Sequence, residues 1–295
     1  MAIEGTHGLW ADLAVGKPDP GKKTVHVLGV PYDGLASARK GAAEAPSAIR
    51  MWSRHITPFT EDRTDLRGLQ LLDHGDIVIG DARIGFAEVE RFVAKLTYPV
   101  VVLGGDHSIS IPVLRAMVQK KPEMGLLWID AHPDLCDSFD GSELSHACVL
   151  RRALDAGLDP NRVVLVGVRS WEEQELEIIG KGEVLVVTAA QIAENGLSFY
   201  KTAIRDRLAI STSVYVSCDI DSLDPSVAPG TGIPDHGGLF MRDVLATIGC
   251  VAGREIMGLD IVEVAPPLDP SGVTVFAALK IMMEFLGIVV REKTS

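Results

Sequence analysis

The sequence predicts an α/β protein built on a mainly parallel sheet, and two observations support this class. Short runs rich in Val, Ile and Leu alternate with longer amphipathic stretches along the 295-residue chain. Most of the apolar runs are continuous, which is typical of strands covered on both faces. No repeat, low-complexity segment or Gly/Ser-rich linker divides the chain. We therefore expect a single domain, residues 1–295, in which residues 1–22 form an N-terminal extension.

Eight of the apolar runs are predicted to be strands: Thr24–Val30, Gln70–Ile77, Tyr98–Leu103, Met124–Asp130, Arg162–Val168, Glu183–Val187, Ser213–Asp219 and Glu255–Val262. Helix-length segments between them include Arg83–Leu96, Ile109–Lys120, Leu144–Ala156, Arg242–Ala252 and Thr274–Leu286. This order predicts right-handed crossovers onto a parallel sheet. It fits either a closed barrel or an open three-layer sandwich. In both, a ligand site is expected at the carboxyl ends of the strands.

The formal net charge is -12, from 28 basic and 40 acidic residues. No basic stripe is visible, which argues against a nucleic-acid-binding protein. An acidic chain suits a cationic substrate or metal ions, although a solubility role alone explains the charge of the whole chain.

The four cysteines lack CxxC spacing, so we expect reduced thiols in a cytoplasmic protein. We also expect no signal peptide and no membrane association, since no stretch approaches ~20 uncharged apolar residues.

The first cluster of candidate functional residues is Gly104-Gly105-Asp106-His107-Ser108, directly after a predicted strand. The two glycines permit a sharp turn, and Asp106 or Ser108 is suited to cap the following helix. This leaves His107 at the turn. A single histidine in such a position is more often structural than functional, so the other clusters decide its interpretation.

The second cluster, Asp130-Ala131-His132-Pro133-Asp134, follows another apolar run. In extended backbone, residues i, i+2 and i+4 project to one face, so two carboxylates and one imidazole are expected to converge. Buried like charges repel, and each desolvated carboxylate costs several kcal/mol unless it is compensated. A bound cation provides that compensation.

A third cluster repeats this spacing with Asp219 and Asp221, at the end of the predicted strand Ser213–Asp219. Asp224-Pro225 just beyond it is typical of a turn, and we give Asp224 no metal role.

The three clusters supply six candidate metal ligands: His107, Asp130, His132, Asp134, Asp219 and Asp221. Four carboxylates balance two divalent cations, and an oxygen-rich set without thiolate favours Mn²⁺ over structural Zn²⁺. Such a pair lowers the pKa of a bridging water enough to make a hydroxide nucleophile near neutral pH. The alternative, a set of salt-bridged strand ends, would need about four nearby basic residues. The flanking segments contain none.

The segments GGDHS, DAHPD and SCDIDSLDP, in this order and spacing, resemble the three metal motifs of the ureohydrolases, the family of arginase and agmatinase. The resemblance extends from about Gly29 to Gly287. It implies two Mn²⁺ ions per subunit, one bound by His107, Asp130, Asp134 and Asp219 and the other by His132, Asp130, Asp219 and Asp221. It also implies the open three-layer α/β/α sandwich and assembly into a homotrimer or hexamer.

Two further segments match the family. Ser145-His146 resembles the flexible-loop histidine that serves proton transfer to the leaving amine. Asp260–Pro267 resembles the segment whose glutamate grips the guanidinium, and Glu263 suits that role because a carboxylate accepts two parallel N–H bonds from a planar fork. The resemblance thus implies His146, Glu263 and Asp130 as catalytic residues, with a metal-bridging hydroxide that attacks the guanidinium carbon.

The implied reaction cleaves a guanidino compound to urea and an amine, and the favoured substrate is agmatine, a small cation that yields putrescine. The loops at Pro229–Gly232, Gly237–Leu239 and Pro266–Pro270 resemble those of agmatinases. Between Asp134 and His146 the chain lacks the Asn- and Ser-bearing loop with which arginases hold the α-amino acid end of arginine. Arginase activity is therefore disfavoured.

Three positions depart from the agmatinase pattern. Ile233 stands where Thr is usual, His236 where Pro or a similar residue is usual, and Ala147-Cys148 where Gly-Thr or Gly-Met is common. Cys148 is interpreted as a bystander rather than a pocket wall. These departures leave guanidinobutyrate, guanidinopropionate and aminopropylagmatine as alternative substrates, with formimidoylglutamate a weaker one.

Two rival functions come from other classes. A dinuclear metallophosphoesterase also uses an Asp-x-His motif and a metal pair, but it normally has more histidines, including a late Gly-His-x-His. A non-catalytic relative that serves as a binding subunit would be expected to have lost metal ligands, and this chain has all six.

Overall fold

The computed structural model describes residues 7–292 and contains one sheet of eight strands. In chain order the strands are β1 (Lys23–Gly29), β2 (Leu69–Asp76), β3 (Val100–Leu103), β4 (Gly125–Ile129), β5 (Val163–Val166), β6 (Leu185–Val187), β7 (Ser213–Asp219) and β8 (Glu255–Val262). Each overlaps one of the eight predicted strands. The central strands β3, β4, β5 and β7 are buried along their whole length, as continuous apolar runs predict.

Nine α-helices lie within the described residues: α1 (Ala45–Trp52), α2 (Ala82–Val93), α3 (Ser110–Lys120), α4 (Val149–Asp155), α5 (Glu173–Gly180), α6 (Ala189–Asn195), α7 (Leu197–Leu208), α8 (Met241–Ile248) and α9 (Val273–Arg291). Five of them, α2, α3, α4, α8 and α9, lie in segments that the sequence predicts to be helical. The other four were not predicted, although the apolar residues of α1 lie on one face and α7 is 12 residues long. Their start signals are local, such as the capping box of Thr188 and Gln191 at α6.

One predicted helix, Leu144–Ala156, is only partly α-helical. Helix α4 begins at Val149, and a 3₁₀ turn, His146–Cys148, precedes it. Ser145 caps this turn by accepting the amide hydrogen of Ala147 at 3.5 Å. His146 therefore lies on a short turn rather than within a regular helix.

The strand order is β2-β1-β3-β8-β7-β4-β5-β6, and all neighbouring strands are parallel. Because β2 and β6 are edge strands, the sheet is open and the closed barrel is excluded. One hydrophobic core joins the sheet to α1 and α6 to α9, and a second core joins its other face to α2, α3 and α4. This arrangement confirms the predicted three-layer α/β/α sandwich.

Helix α9 is the most apolar helix of the described chain. Its length and hydropathy match those of a membrane span, but 72% of its most apolar window is buried inside the protein. It packs against α1, α8 and β8, and this burial explains why so apolar a helix is needed.

The described residues that precede β1, residues 7–22, lie along the edge strand β2. Leu13 and Val15 exchange backbone hydrogen bonds with Leu71. Trp10 is fully buried, and its indole N–H donates to Asp73 at 2.8 Å. These contacts cover part of an edge that would otherwise expose unpaired backbone groups.

The strand order also determines where a site can form. Strands β3, β8, β7 and β4 are consecutive in the middle of the sheet. The residues that follow them are His107, Glu263, the Asp219–Asp221 pair and Asp130. All four strand ends open at the same sheet edge, because the strands are parallel.

Candidate metal centre and adjoining cavity

A tight turn after β3 carries His107 to the middle of this edge. An added Cβ at Gly105 would lie 1.8 Å from the carbonyl oxygen of Tyr32, so only glycine fits there. Asp106 then caps the 3₁₀ turn that begins at His107. The imidazole of His107 stacks on the indole of Trp128, with ring centroids 4.3 Å apart. The turn sets the position of the imidazole, and the stacking sets its plane.

Asp130, His132 and Asp134 converge, but not through the extended backbone that their spacing predicts. Strand β4 ends at Ile129, and in the bent loop that follows Asp134 has a φ of 51°. Side chains two residues apart on a strand are about 6.6 Å apart, too far to share a small cation. In the loop, Oδ1 of Asp130 instead accepts the amide hydrogen of His132 at 2.7 Å.

Asp219 and Asp221 come from the end of β7. Asp219 is the last strand residue, and Asp221 lies in the 3₁₀ turn Ile220–Ser222. Oδ1 of Asp219 accepts the amide hydrogen of Asp221 at 2.7 Å, and Oδ1 of Asp221 accepts that of Ala131 at 3.2 Å. One oxygen of each carboxylate thus organises backbone and leaves the other for the centre. Asp224 accepts amide hydrogens of its own loop and acts as a turn residue.

Three carboxylates surround His107. Its Nδ1 lies 3.1 Å from Oδ2 of Asp130, 3.1 Å from Oδ2 of Asp134 and 3.3 Å from Oδ2 of Asp219. All four side chains are buried. His107, Asp130 and Asp134 have the mutual spacing of metal ligands, with ligand atoms within 4.8 Å of one another.

A second group of the same kind shares one member with the first. Nδ1 of His132 lies 3.2 Å from Oδ2 of Asp221 and 3.5 Å from Oδ1 of Asp130. These three residues also have ligand atoms within 4.8 Å of one another. Because the two oxygens of Asp130 face different histidines, this carboxylate is placed to bridge two cations.

Ser217 and Asp260 hold His107 in the tautomer that metal binding requires. Oγ of Ser217 donates to Oδ1 of Asp260 at 2.6 Å, so it accepts the hydrogen on Nε2 of His107, 2.9 Å away. The lone pair is then on Nδ1, which faces carboxylate oxygens. Among the described residues, Nδ1 of His107 and Oδ2 of Asp130 have no hydrogen-bond partner. Buried acceptors that face one another need a cation between them, so these residues fit a metal centre.

The pKa shifts within the cluster also indicate a need for positive charge. Burial and the charges of Asp221 and Asp130 raise the pKa of Asp219 well above its ordinary value. Burial and Asp130 raise the pKa of Asp134 to about 6. Burial opposes protonation of His132, but Asp221 and Asp130 outweigh it and raise the pKa of this imidazole. Without a cation, protons take up part of the negative charge.

Glu263 lies directly after β8, beside the cluster. Its backbone has a φ of 60°, which is rare for a residue with a side chain. Its amide donates to the carbonyl of Gly105 at 2.8 Å, and its Oε1 accepts the amide hydrogen of His107 at 2.8 Å. Glu263 is 5% exposed and lines a cavity, so it is not a surface acid.

His146 faces the same cavity. Its Nδ1 lies 3.5 Å from Oε1 of Glu263, and its Nε2 lies 2.9 Å from Oγ of Ser37. Burial disfavours the imidazolium, but the carboxylate of Glu263 outweighs this effect and raises the pKa of His146 to about 9. A protonated imidazole held in one orientation is suited to donate a proton.

The cavity has a volume of about 190 Å³ and opens onto the metal-ligand cluster. Two histidines, His132 and His146, line it, together with six carboxylates: Asp134, Glu172, Glu175, Asp219, Asp221 and Glu263. Trp171, Phe139 and Ile233 add apolar surface. Among the described residues that line it there is no Lys or Arg. Such a cavity suits a small cation with an apolar stem.

The positions that depart from the agmatinase pattern fall into two groups. Ile233 and Ala147 line the cavity. His236 is exposed on the loop beyond Ile233 and is not part of the lining. Cys148 is buried behind the wall, with Sγ 3.7 Å from the carbonyl oxygen of Ser142, and burial raises the pKa of its thiol to about 11. These contacts support its interpretation as a bystander.

Several residues of the site were not predicted from the sequence: Ser37, Trp171, Glu172, Glu175 and Ser217. Ser217 and Asp260 are polar residues inside the apolar runs of β7 and β8, and that contrast was a usable signal. Glu172 and Glu175 form a capping box at the start of α5, which the spacing of two acids also indicates. Ser37 lies in a loop whose sequence carries no such signal.

Comparison with known proteins is consistent with this geometry. The arginase family profile matches residues 23–287. Proclavaminate amidinohydrolase of Streptomyces clavuligerus is 35% identical over 281 residues, covering 91% of this chain and 89% of the relative. An agmatinase of Neisseria meningitidis is 36% identical over 272 residues, covering 88% and 85%. A guanidinobutyrase of Pseudomonas aeruginosa is 33% identical over 270 residues, covering 88% and 84%.

The likeness extends to three dimensions. The solved structure of the Streptomyces clavuligerus proclavaminate amidinohydrolase superposes with a TM-score of 0.88 at 34% identity and covers 99% of both chains. The arginase of Bacillus subtilis superposes with a TM-score of 0.78 at 29% identity, covering 90% of this chain and 99% of that one. The chain therefore belongs to the arginase family of binuclear metal hydrolases, which act on the C–N bonds of guanidino compounds.

Proposed function

We propose that this protein is a binuclear manganese hydrolase that cleaves agmatine to putrescine and urea. The observation that carries the choice of substrate is the charge of the cavity, which combines six carboxylates with no Lys or Arg among its described lining residues. Agmatine is cationic at both ends and apolar between them. Three of the six carboxylates, Asp134, Asp219 and Asp221, are assigned below as metal ligands, so the carboxylates left to face a substrate are Glu172, Glu175 and Glu263. A substrate tail that ends in a carboxylate would meet negative charge at Glu172 and Glu175, which opposes binding.

For the metal ions, we assign His107, Asp130, Asp134 and Asp219 to one Mn²⁺ and His132, Asp130, Asp219 and Asp221 to the other. The convergence of carboxylates on His107 and His132, with Asp130 common to both groups, supports this assignment. Nitrogen and oxygen donors without thiolate suit Mn²⁺. A bound metal pair lowers the pKa of water and stabilises negative charge that develops in the reaction.

Glu263 and His146 supply the remaining chemistry. In the proposed reaction the carboxylate of Glu263 accepts N–H bonds from the planar guanidinium and holds its carbon over the metal ligands. His146, 3.5 Å from Glu263, donates a proton from Nδ1 to the nitrogen that leaves as the amine. Its raised pKa, about 9, keeps that proton available at neutral pH.

Another part of the cavity lining is suited to the amine tail. Glu172 and Glu175 lie at the first turn of α5, and Trp171 beside them is 38% exposed. A primary ammonium group gains from nearby carboxylates and from the face of an indole. Burial raises the pKa of Glu175 to about 7, and a bound ammonium would favour its ionised form.

The same reasoning ranks the alternative substrates. Guanidinobutyrate, guanidinopropionate and formimidoylglutamate all carry carboxylates, which this cavity disfavours. Aminopropylagmatine is cationic and remains the main alternative. The three named relatives are about equally identical to this chain in sequence. Sequence identity therefore does not distinguish among their substrates. Family membership and the complete ligand set argue against a metallophosphoesterase and a non-catalytic relative.

We also propose a cytoplasmic homo-oligomer, a trimer or hexamer, that binds neither nucleic acid nor membrane.

The test is urea release by Mn²⁺-loaded protein, with agmatine, aminopropylagmatine, arginine, guanidinobutyrate and guanidinopropionate assayed in parallel. We expect the largest kcat/KM with agmatine and none detectable in Asp130→Asn, which lacks the bridging carboxylate. Faster hydrolysis of guanidinobutyrate than of agmatine would contradict the argument from cavity charge. Absence of urea from every substrate, with two metals bound, would overturn the proposed function.

A further inference from the structure

The loop from Asp33 to Gly41 contributes Ser37 to the lining of the cavity and is anchored to two neighbouring turns. Asp33 accepts the amide hydrogen of Gly41 at 2.8 Å, which closes the loop on itself. The amide of Leu35 donates to Oδ2 of Asp106 at 2.9 Å. The guanidinium of Arg39 donates to the carbonyl of Thr231 at 2.7 Å. The loop is thus held against the turns on either side of Glu263.

Ser37 lies within this loop and contacts His146 directly. Its Oγ is 2.9 Å from Nε2 of the imidazole, while Nδ1 of the same ring faces Oε1 of Glu263 at 3.5 Å. The ring of Phe139 meets the imidazole edge to face, with centroids 6.3 Å apart. The two ring nitrogens therefore face different partners from different parts of the chain.

This contact matters because an imidazole ring rotates readily about its Cβ–Cγ bond. A rotated ring would exchange its nitrogen and carbon edges and point a C–H group at the guanidinium subsite. A hydroxyl group can both donate and accept. When the imidazolium loses a proton from Nδ1, Nε2 keeps its hydrogen, so Ser37 accepts from Nε2–H both before and after the transfer. The same ring orientation is stabilised before and after a proton leaves Nδ1.

We infer that Ser37 is a positioning residue for His146, holding the imidazole so that Nδ1 faces the subsite where Glu263 binds the guanidinium. This inference rests on the proposed function. A folding role does not explain the contact, because Ser37 is exposed. An exposed hydroxyl can bond to water in the folded protein as well as in the unfolded chain, so this contact adds little to the free energy of folding. The contribution of Ser37 therefore belongs to the orientation of His146.

The test is a double-mutant cycle on urea release from agmatine. We expect Ser37→Ala to lower kcat about 5- to 20-fold, the worth of one hydrogen bond, with KM changed less than about twofold. Ser37→Thr keeps the hydroxyl and should retain most of the activity. In the background of His146→Asn, Ser37→Ala should have almost no further effect, because the group that it orients is gone.

The control is Ser47→Ala, an exposed serine on α1 that should change neither wild-type nor His146→Asn kinetics. Effects of Ser37→Ala and His146→Asn that multiply, or a threonine variant as slow as the alanine variant, would overturn the inference while leaving the proposed function intact. A wild-type protein that releases no urea from any guanidino compound overturns the proposed function itself, and the catalytic role of Ser37 with it.

Discussion

Glu263 lies between the cluster of metal-ligand side chains and the open part of the cavity. One of its oxygens accepts the backbone amide of His107 at 2.8 Å. Its own amide is held by Gly105, and its φ of 60° turns the side chain away from the line of β8. Backbone strain of this kind persists where the surroundings stabilise it, often at functional sites. In the proposed function, Glu263 thereby couples the position of His107 to that of the bound guanidinium.

At this scale we predict the effect of Glu263→Gln. The amide side chain keeps an oxygen for the His107 amide but loses the charge that pairs with a guanidinium. We expect kcat/KM for agmatine to fall about 100- to 1000-fold, since a charge-assisted pair in a buried site is lost. The measurement is steady-state urea release. Glu255→Gln, at the exposed opposite end of the same strand, is the matched control. A loss below about threefold would remove Glu263 from guanidinium binding.

Among the elements, the turn after β3 is tightly constrained. Its Gly105 contacts the backbone of Tyr32 so closely that no Cβ fits, and the amide of Asp106 donates to the same Tyr32 carbonyl at 2.8 Å. The carbonyl of Gly105 also accepts the amide of Glu263. One short turn thus joins the loops that follow β1, β3 and β8.

We predict that Gly105→Ala lowers the melting temperature by about 4 to 8 °C, because a clash with backbone must shift one of these loops. It should also weaken Mn²⁺ binding at least about tenfold, since displacement of His107 alters the ligand geometry. Thermal unfolding and metal titration by calorimetry measure the two effects. Gly180→Ala is the control, because its added Cβ at the end of α5 meets no atom within 4 Å and helical Ala is favoured over Gly. Equal behaviour of the two variants would contradict the prediction.

In the whole molecule, the parallel sheet gathers acidic side chains from distant segments at one edge. The chain already carries a net charge of -12, and burial together with neighbouring carboxylates raises the pKa of Asp219 and of Asp134. Their ionisation is therefore costly in the metal-free fold. A bound cation removes this cost, so metal binding should stabilise the native state by mass action.

We predict that chelation of the metal lowers the melting temperature of the wild type by about 5 to 10 °C. Asp219→Asn should reduce this difference to less than about half, and should raise the melting temperature of the chelated protein because a buried charge is gone. Differential scanning calorimetry with Mn²⁺ or with chelator measures both. Asp206→Asn, which makes the same charge change on an exposed position of α7, should respond to chelation as the wild type does. An undiminished metal effect in Asp219→Asn would remove that residue from the ligand set.

The elements differ in how far the sequence alone specified them. The eight strands could be predicted because both faces of an internal strand are buried, which requires a continuous apolar run. Helices α5 and α6 are only 8 and 7 residues long, and capping and packing stabilise them more than their own periodicity does. Helix α7 is longer but only weakly amphipathic, whereas the apolar face of α1 was a usable signal that the prediction missed. The start of α4 was missed for a similar reason, since Ser145 stabilises a 3₁₀ turn there instead.

The sequence by itself determined the chemistry of the site: six nitrogen and oxygen donors at strand ends, where folding alone gives no reason to place them. Only the tertiary structure decided which of these strand ends are neighbours. It placed β3, β8, β7 and β4 side by side and brought Glu263 to within hydrogen-bonding distance of His107, 156 residues earlier. It also bent the loop after β4 and set Ser37 against His146, across 109 residues. Such contacts depend on strand order and loop shape, which follow from the packing of the whole chain rather than from local residue patterns.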